Sequence, residues 1–183
     1  NSAIRFRYAT ELVFQPDFSY AISSDASRGY NKLDLKETKT DYLIITSKIT
    51  VLVDKKTLRT QISDIDGNIV VEDEIGFHWE ENHEYGGNSV KMSKITQSAE
   101  SFYGMGDKAT HSNLKGKRVR NWVTDSYAYS KDQDPLYKAI PFYIGLHNNI
   151  SYGIFFDNTF ETHFDFAHER RNITSFWADG GEM

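Results

Sequence analysis

Apolar and polar residues alternate with a period of two through most of the chain. The alternation is clear at residues 4–8, 33–36 and 49–53, where every second side chain is apolar. Successive side chains of a β-strand point to opposite faces, so this period predicts strands with one buried face. Further strands are predicted, each bounded by Gly, Asn, Asp or Pro, at residues 42–47, 77–80, 90–97, 140–146, 151–157 and 162–167.

Residues 58–71 show the clearest hairpin pattern. Apolar positions alternate up to Ile62, Asp66-Gly67 offers a turn with positive φ angles, and the chain then returns as a second strand. Short strands joined by short turns, with poor helical periodicity between them, are typical of an antiparallel sandwich rather than a βαβ sheet. We therefore predict a single all-β domain, an antiparallel β-sandwich, over residues 1–183.

Composition agrees with such a domain and excludes several functions. The chain has 183 residues and 14% aromatic residues, which fits one strand-rich domain. Its net charge of −5, with scattered basic residues, argues against nucleic-acid binding. No apolar run approaches the ~20 residues that a bilayer requires, and no apolar signal segment opens the chain. We therefore expect a soluble protein with no membrane contact, in a compartment that the residues leave open.

The alternation breaks down over residues 98–137, a segment rich in Gly, Lys, Asp and Tyr. Its lack of a period predicts about forty residues of long loops, and loops of that length in a compact domain are usually functional or disordered. The aromatic residues within it favour an ordered loop region. The chain ends at residues 177–183 without a closing strand or a polar tail, so we expect further sequence to follow.

Two familiar motifs are present only in part, and others are absent. Gly104-Met105-Gly106 followed by Ala109 has the spacing of a dinucleotide fingerprint, but no βαβ context surrounds it, so we interpret it as a turn. The segment that begins at Asp64 differs from a calcium loop because its glycine comes fourth rather than sixth. The histidines lack zinc spacing, no serine nucleophile elbow occurs, and there is no Cys. We expect no cofactor and no metal.

One part of the loop region combines a carboxylate with aromatic rings. Trp122, Asp125, Tyr127 and Tyr129 lie close together in sequence. Aromatic rings cover the apolar face of a pyranose while carboxylates accept hydrogen bonds from vicinal hydroxyls, so this grouping is typical of sugar recognition. A second interpretation stays open, in which the rings fill the core and Asp125 caps a turn.

Five segments follow one another in a characteristic order: FYGMGDK at 102–108, NWVTD at 121–125, DPLYKAIPF at 134–142, YGIFFDN at 152–158 and ADGGE at 178–182. In this order they resemble the N-terminal domain of glycoside hydrolase family 31, and residues 41–53 with the following hairpin are similar to it as well. The resemblance implies a galactose-mutarotase-like sandwich that packs on a catalytic (β/α)8 barrel absent from this chain. It gives residues 179–182 a structural role.

The resemblance also implies a function. Both catalytic aspartates of that family lie on the barrel, so we expect no catalytic residue in this chain and no activity from it alone. The parent enzyme is expected to be a retaining α-glucosidase, with an α-xylosidase as the alternative. The family's Trp-Asn-x-Asp motif, whose acid binds sugar hydroxyls, corresponds here to residues 122–125, which keep the Trp and the acid Asp125 but have Val123 in place of the Asn. We expect Asp125, Ser126 and Tyr127 to bind an α-linked glucose oligosaccharide or α-glucoside.

Two other functions stay open on the residues themselves. A sandwich with exposed aromatic rings suits a stand-alone carbohydrate-binding module, and the shared shape suits a mutarotase-like epimerase. An epimerase needs a His and Glu acid-base pair, and sequence spacing singles out no such pair among His147, His163, Glu161 and Glu169.

Overall fold

The computed structural model describes residues 3–10, 13–14, 16–23, 33–81 and 87–181. Within these ranges it contains twelve strands and no helix, which confirms the predicted all-β class. This part of the chain therefore includes no helix able to cross a membrane. The strands are β1 (Asp34–Glu37), β2 (Asp41–Ile45), β3 (Ile49–Asp54), β4 (Thr60–Asp64), β5 (Ile69–Glu81), β6 (Asn88–Ile95), β7 (Ser101–Gly106), β8 (Arg118–Asn121), β9 (Ala139–His147), β10 (Ile150–Phe155), β11 (Thr162–Phe166) and β12 (Ile173–Ala178).

The strands form two antiparallel sheets that face each other. The larger sheet has nine strands in the order β1-β2-β3-β4-β5-β6-β12-β11-β8, and the smaller has the order β10-β9-β7. Every strand pair in the described ranges is antiparallel. One hydrophobic core joins residues of β7 and β9 to residues of β6, β11 and β12. This arrangement confirms the predicted antiparallel sandwich.

Aromatic rings from both sheets fill the space between them. Tyr143 of β9 makes edge-to-face contacts with Phe164 and Phe166 of β11, with ring centroids 6.1 and 5.2 Å apart. Phe102 of β7 lies 5.0 Å from Phe166, and Phe176 of β12 stacks on Phe164 at 5.6 Å. All five rings are buried. Because such ring pairs contribute about 0.5–1.5 kcal/mol each beyond the burial of their area, this cluster holds the two sheets together.

Strand β9 places most of its large apolar side chains on the outside of the sandwich. Burial alternates along the strand, and Tyr143, Gly145 and His147 face the core. The four large apolar residues at the intervening positions are 37% to 48% exposed: Ile140, Phe142, Ile144 and Leu146. The burial pattern is thus the reverse of what side-chain hydrophobicity alone predicts for this strand.

Gly145 makes this orientation of β9, with Tyr143 facing the core, possible. A methyl group on Gly145 would lie 2.6 Å from the Tyr152 hydroxyl oxygen and closer still to carbons of its ring. The Tyr152 hydroxyl donates a 2.6 Å hydrogen bond to the buried side chain of Glu100, which holds the ring in place. Only a glycine leaves room for the Tyr152 ring between the sheets.

The predicted hairpin is confirmed, but its turn differs from the prediction. β4 and β5 pair on either side of residues 65–68, and Gly67 has a φ of 86°. Asp66 has no positive φ, so the prediction of positive angles at both residues was wrong. The Asp64 carboxylate instead accepts backbone N–H bonds from Asp66 and Asn68 at 2.9 and 2.8 Å. These bonds occupy the carboxylate, which favours the hairpin interpretation over a calcium loop.

Three strands of the structure were not predicted. β7 and β8 lie within residues 98–137, where the missing alternation predicted continuous loops, and β12 lies where no closing strand was expected. Glycines interrupt the period of β7, and β8 has only four residues, so neither shows alternation over a useful length. The loop prediction was therefore wrong for these strands. Residues 107–117 and 122–137 of the predicted loop segment lie outside the named strands.

The segment at residues 4–8, predicted as a strand, belongs to no sheet in the described part of the chain. Alternation was not enough to predict a strand here, because a strand must also pair with the open edge of a sheet. Tyr8 instead stacks its ring on Phe77 of β5, with centroids 4.9 Å apart.

The glycines of the dinucleotide-like motif allow the backbones of β7 and β9 to lie close together. Gly104 and Gly106 have φ angles of 122° and 76°, and the β7–β9 register shifts between them. A methyl group on Gly104 would lie 2.6 Å from the Phe142 carbonyl oxygen, and one on Gly106 would overlap the Lys138 carbonyl. The motif therefore lies within β7 and permits a close approach of two backbones, so its interpretation as a turn was wrong.

We expect Gly145→Ala to destabilise the fold by about 1–3 kcal/mol, the usual cost of overpacking a core. Urea unfolding measures the change. Gly153→Ala is the matched control, since its methyl group would lie 2.6 Å from the Phe142 ring, which is partly exposed and able to turn outward. The control should lose less than about 0.5 kcal/mol. Equal losses in the two variants would contradict the assigned role of Gly145.

Candidate functional site

Residues 122–138, which we call the β8–β9 loop, carry all the site residues predicted from the sequence. The loop leaves the edge strand of the large sheet and enters the central strand of the small one. Four of its aromatic rings are 43% to 95% exposed: Trp122, Tyr127, Tyr129 and Tyr137. The interpretation in which these rings fill the core is therefore wrong.

The carboxylate of Asp125 is exposed on this loop. Within the described part of the chain it takes part in no hydrogen bond and no ion pair. A turn-capping aspartate would accept a backbone N–H bond, so the geometry gives the capping interpretation no support. The carboxylate is available to a ligand.

Ser126 and Tyr127 differ from each other in their surroundings. The Ser126 hydroxyl accepts a 3.0 Å hydrogen bond from the Gln133 side chain, and its carbonyl accepts one from the Tyr137 hydroxyl. Ser126 therefore ties two parts of the loop together while its hydroxyl keeps a proton to donate. Tyr127 is 95% exposed, so its ring is accessible to a ligand. The binding roles of Asp125, Ser126 and Tyr127 stay predictions.

Two backbone contacts fix the two arms of the loop to each other. The Thr124 amide donates a 2.9 Å hydrogen bond to the Leu136 carbonyl, and Val123 bridges to the same residue. Leu136 is 2% exposed, so its side chain anchors the returning arm in the core. Asp125 thus follows directly after a fixed segment of backbone.

A nearly buried ion pair joins the loop to the end of β8. The Lys108 ammonium lies 2.6 Å from a carboxylate oxygen of Asp134 and donates a 2.8 Å hydrogen bond to the Arg120 carbonyl. The other Asp134 oxygen accepts the Arg120 backbone N–H. The Lys108 side chain is 5% exposed. Sequence analysis missed this pair because its members lie far apart in an aperiodic segment.

Asp132 makes a second attachment of the loop. Its carboxylate accepts hydrogen bonds from the Thr110 hydroxyl at 2.6 Å and the Lys117 ammonium at 3.1 Å. These two bonds hold the pKa of Asp132 below its ordinary value. A carboxyl with a depressed folded pKa contributes stability above its unfolded pKa and loses that contribution as the pH falls through the folded value. The attachment is therefore complete at neutral pH.

A second polar cluster lies where β11 begins and β12 ends. The ligand atoms of Glu161, His163 and Asp179 lie within 4.8 Å of one another, a grouping that strand register creates and sequence spacing hides. The Arg120 guanidinium binds both oxygens of Glu161. An arginine on this carboxylate opposes a metal ion and engages the oxygens that a general base would use, so we interpret the cluster as an ion-pair network.

Three other histidines of the described chain contact backbone carbonyls, which fits structural roles, whereas His111 is exposed. His147 is buried and lies 2.9 Å from the Val70 carbonyl oxygen, and His168 lies 2.9 Å from that of Gly116. His78 makes a 3.0 Å contact with the Gly76 carbonyl. His83 lies outside the described residues. The epimerase alternative gains a close His163–Glu161 pair, but Arg120 already occupies this glutamate.

Comparison with known proteins links this fold to one family of enzymes. Residues 1–165 match the family model of the glycosyl hydrolase 31 N-terminal galactose mutarotase-like domain. α-Glucosidase 2 of Bacillus thermoamyloliquefaciens is 33% identical over 149 residues, which are 80% of this chain and 18% of that protein. An isomaltosyltransferase of Sporosarcina globispora is 26% identical over 184 residues, or 97% of this chain and 16% of that protein.

A solved structure shows the same architecture. The dextranase of glycoside hydrolase family 31 from Flavobacterium johnsoniae, complexed with isomaltotriose, superimposes with a TM-score of 0.78 at 30% sequence identity. The match covers 91% of this chain and 20% of that one. The chain thus spans a fifth or less of the length of these relatives.

We expect Lys108→Met to destabilise the attachment of the β8–β9 loop by about 1–3 kcal/mol, because it leaves the part-buried Asp134 carboxylate without its ammonium donor. The rate of proteolytic cleavage within residues 122–138 should rise accordingly. Lys117→Met is the control, since Lys117 also pairs with a loop aspartate but is 38% exposed. Exposed pairs contribute little, so its effect should be much smaller. Equal cleavage rates would contradict the anchoring role of Lys108.

Proposed function

We propose a function from the following premise: the chain belongs to the glycosyl hydrolase 31 N-terminal galactose mutarotase-like domain family. It is the non-catalytic N-terminal domain of a retaining α-glucosidase, and it contributes the β8–β9 loop to substrate binding. The observation that carries this proposal is the unpartnered carboxylate of Asp125 among exposed aromatic rings. The catalytic carboxylates are supplied by a (β/α)8 barrel elsewhere in the parent enzyme.

Asp125 is assigned to the sugar hydroxyls. A carboxylate accepts hydrogen bonds from two vicinal hydroxyls of a glucosyl unit, and each charge-assisted bond is stronger than a neutral one. No side chain of the described chain competes for the Asp125 oxygens, so binding a sugar requires no internal bond to break. The exposed rings of Trp122 and Tyr127 supply apolar surface for a pyranose face.

The anchored base of the loop supports this role. Leu136 in the core and the Lys108–Asp134 pair hold the loop before any ligand arrives. A site that is already ordered avoids the entropy cost of ordering upon binding, which increases affinity without additional contacts. The Lys108–Asp134 pair therefore supports binding at Asp125 by keeping the loop ordered before the ligand binds.

The ligands of related proteins favour glucose as the substrate sugar. The dextranase structures of Flavobacterium johnsoniae are complexes with isomaltotriose and with glucose, at 30% identity to this chain. An α-glucosidase relative is 33% identical over most of the chain. The α-xylosidase structures match at 19% and 15% identity and support the fold alone. An α-linked glucose oligosaccharide or α-glucoside is the substrate class we propose.

Asp125→Ala in the full-length enzyme should lower kcat/KM for an α-glucoside about 10- to 150-fold, because a charge-assisted hydrogen bond contributes roughly 1.5–3 kcal/mol. The melting temperature should stay unchanged, since the carboxylate makes no contact within the described chain. Steady-state kinetics and thermal unfolding of one preparation measure both quantities.

Asp66→Ala is the control for this variant, because Asp66 is an exposed acid on the distant β4–β5 turn. It should leave kcat/KM unchanged. A lowered melting temperature with unchanged kcat/KM in Asp125→Ala would assign Asp125 a structural role and eliminate the substrate-binding role.

The isolated 183-residue chain should show no turnover of an aryl α-glucoside, because retaining hydrolysis needs two carboxyl groups roughly 5–5.5 Å apart across one bond. Turnover that a point mutation within the chain abolishes would overturn the assignment of catalysis to a separate barrel. Titration of the same preparation with an α-glucan distinguishes the second candidate function. Binding in the micromolar range would indicate a stand-alone carbohydrate-binding module, whereas weak or absent binding agrees with an accessory domain.

A further inference from the structure

Strand β8, from which the β8–β9 loop leaves, is a short strand at the edge of the large sheet. It has four residues, and in the described part of the chain it pairs with β11 alone. Val119 and Asn121 are buried in the sandwich, whereas Arg118 and Arg120 lie exposed on the outer face. So short an edge strand has few backbone hydrogen bonds to prevent local opening. Its outward side chains therefore help to determine where the loop begins.

Each outward arginine of β8 binds carboxylates of residues in or beside β11. Arg118 donates hydrogen bonds to Asp165 at 3.1 and 3.2 Å and to Glu169 at 2.8 Å. Arg120 binds both oxygens of Glu161, one of them at 2.7 Å. The two arginine side chains are 47% and 48% exposed. The strand thus has two similar attachments, one at each end.

Arg120 is also bonded to the β8–β9 loop and to the lysine that anchors it. Its backbone N–H donates to the Asp134 carboxylate, and its carbonyl accepts a 2.8 Å hydrogen bond from Lys108. The side chain and backbone of this one residue therefore connect Glu161 of the sheet to Asp134 of the loop. Arg118 makes no hydrogen bond to the loop within the described residues.

The carboxylate that binds Arg120 is itself held in place. Nε2 of His163 lies 3.3 Å from a carboxylate oxygen of Glu161 and 3.6 Å from one of Asp179. The His163 ring stacks on Trp177 of β12, with centroids 5.0 Å apart and an angle of 11° between the planes. These contacts give Glu161 a fixed location, which a group that positions another residue requires.

We propose that Arg120 is a positioning residue for substrate binding, an inference that rests on the proposed function of Asp125. Asp125 lies five residues after Arg120, and the backbone between them is fixed a second time where Thr124 bonds to Leu136. The guanidinium holds the end of β8 and so determines the direction in which the chain enters the loop. Because a hydrogen bond weakens steeply with distance and angle, a small displacement of this backbone weakens the contact between Asp125 and a sugar hydroxyl.

The two arginines of β8 make it possible to separate positioning from stability. Exposed ion pairs contribute little to folding. Arg118 has the more buried partner, because the Asp165 side chain is 3% exposed and that of Glu161 is 23% exposed. Loss of Arg118 is therefore expected to cost the fold at least as much as loss of Arg120. A purely structural role predicts that substrate binding weakens in the same order, and a positioning role predicts the reverse order.

Steady-state kinetics of the full-length enzyme with an aryl α-glucoside test this proposal. We expect Arg120→Met to raise KM about 3- to 10-fold and to change kcat less than about twofold, because it weakens binding without altering the reacting groups. Arg118→Met is the matched control and should leave KM unchanged, at an equal or lower melting temperature. Glu161→Gln should also raise KM, which keeps the test decisive if Arg120→Met does not fold.

A double variant identifies the residue through which Arg120 acts. KM of Arg120→Met/Asp125→Ala should be no higher than KM of Asp125→Ala alone, since both changes remove one interaction. Additive increases in KM, or an equal increase in Arg118→Met, would overturn the positioning role.

The proposed function fails by a different observation. Unchanged kcat/KM in Asp125→Ala removes the substrate-binding role, and the positioning role with it. Reduced kcat/KM in Asp125→Ala together with unchanged KM in Arg120→Met keeps the substrate-binding role and removes the positioning role alone.

Discussion

The burial of the Tyr143 ring between the two sheets determines which side chains of β9 face the core and which face outward. The rest of the structure depends on this orientation of β9. The ring contacts Phe164 and Phe166 of the opposite sheet, and the glycine two residues later admits the Tyr152 ring beside it. Once the aromatic residues occupy the core, the remaining side chains of β9 must point away from it. One packing choice therefore determines both the core and the outer surface of the small sheet.

The orientation of β9 also positions the candidate site. The β8–β9 loop must end where β9 begins, and its last residues are held by Leu136 in the core. The Lys108–Asp134 pair fixes the middle of the loop to the end of β8. Loops fixed at both ends to a rigid scaffold are where binding residues are usually found, because the scaffold removes most of their conformational freedom. The exposed rings are thus presented by a fixed frame.

Alternation along the chain predicted most strands but did not predict their orientation in the core. In β9 both sets of alternate positions contain apolar or aromatic residues, so hydrophobicity identifies a strand without choosing its inner face. The choice depends on Tyr143 and Gly145, whose partners lie on other strands. Asp125 was found through a sequence motif, whereas the Lys108–Asp134 pair depends on a contact between distant residues that no local pattern encodes.

The charges of the β8–β9 loop explain why Asp125 differs from its neighbours. The loop has three acidic residues, and two of them, Asp132 and Asp134, bind Lys117 and Lys108. Those carboxylates already have strong donors, so a ligand hydroxyl would have to compete with an ammonium group for them. Asp125 has no such donor in the described chain. Because internal pairing satisfies the other acids, the capacity of the loop to accept new hydrogen bonds is concentrated at one carboxylate beside exposed aromatic rings.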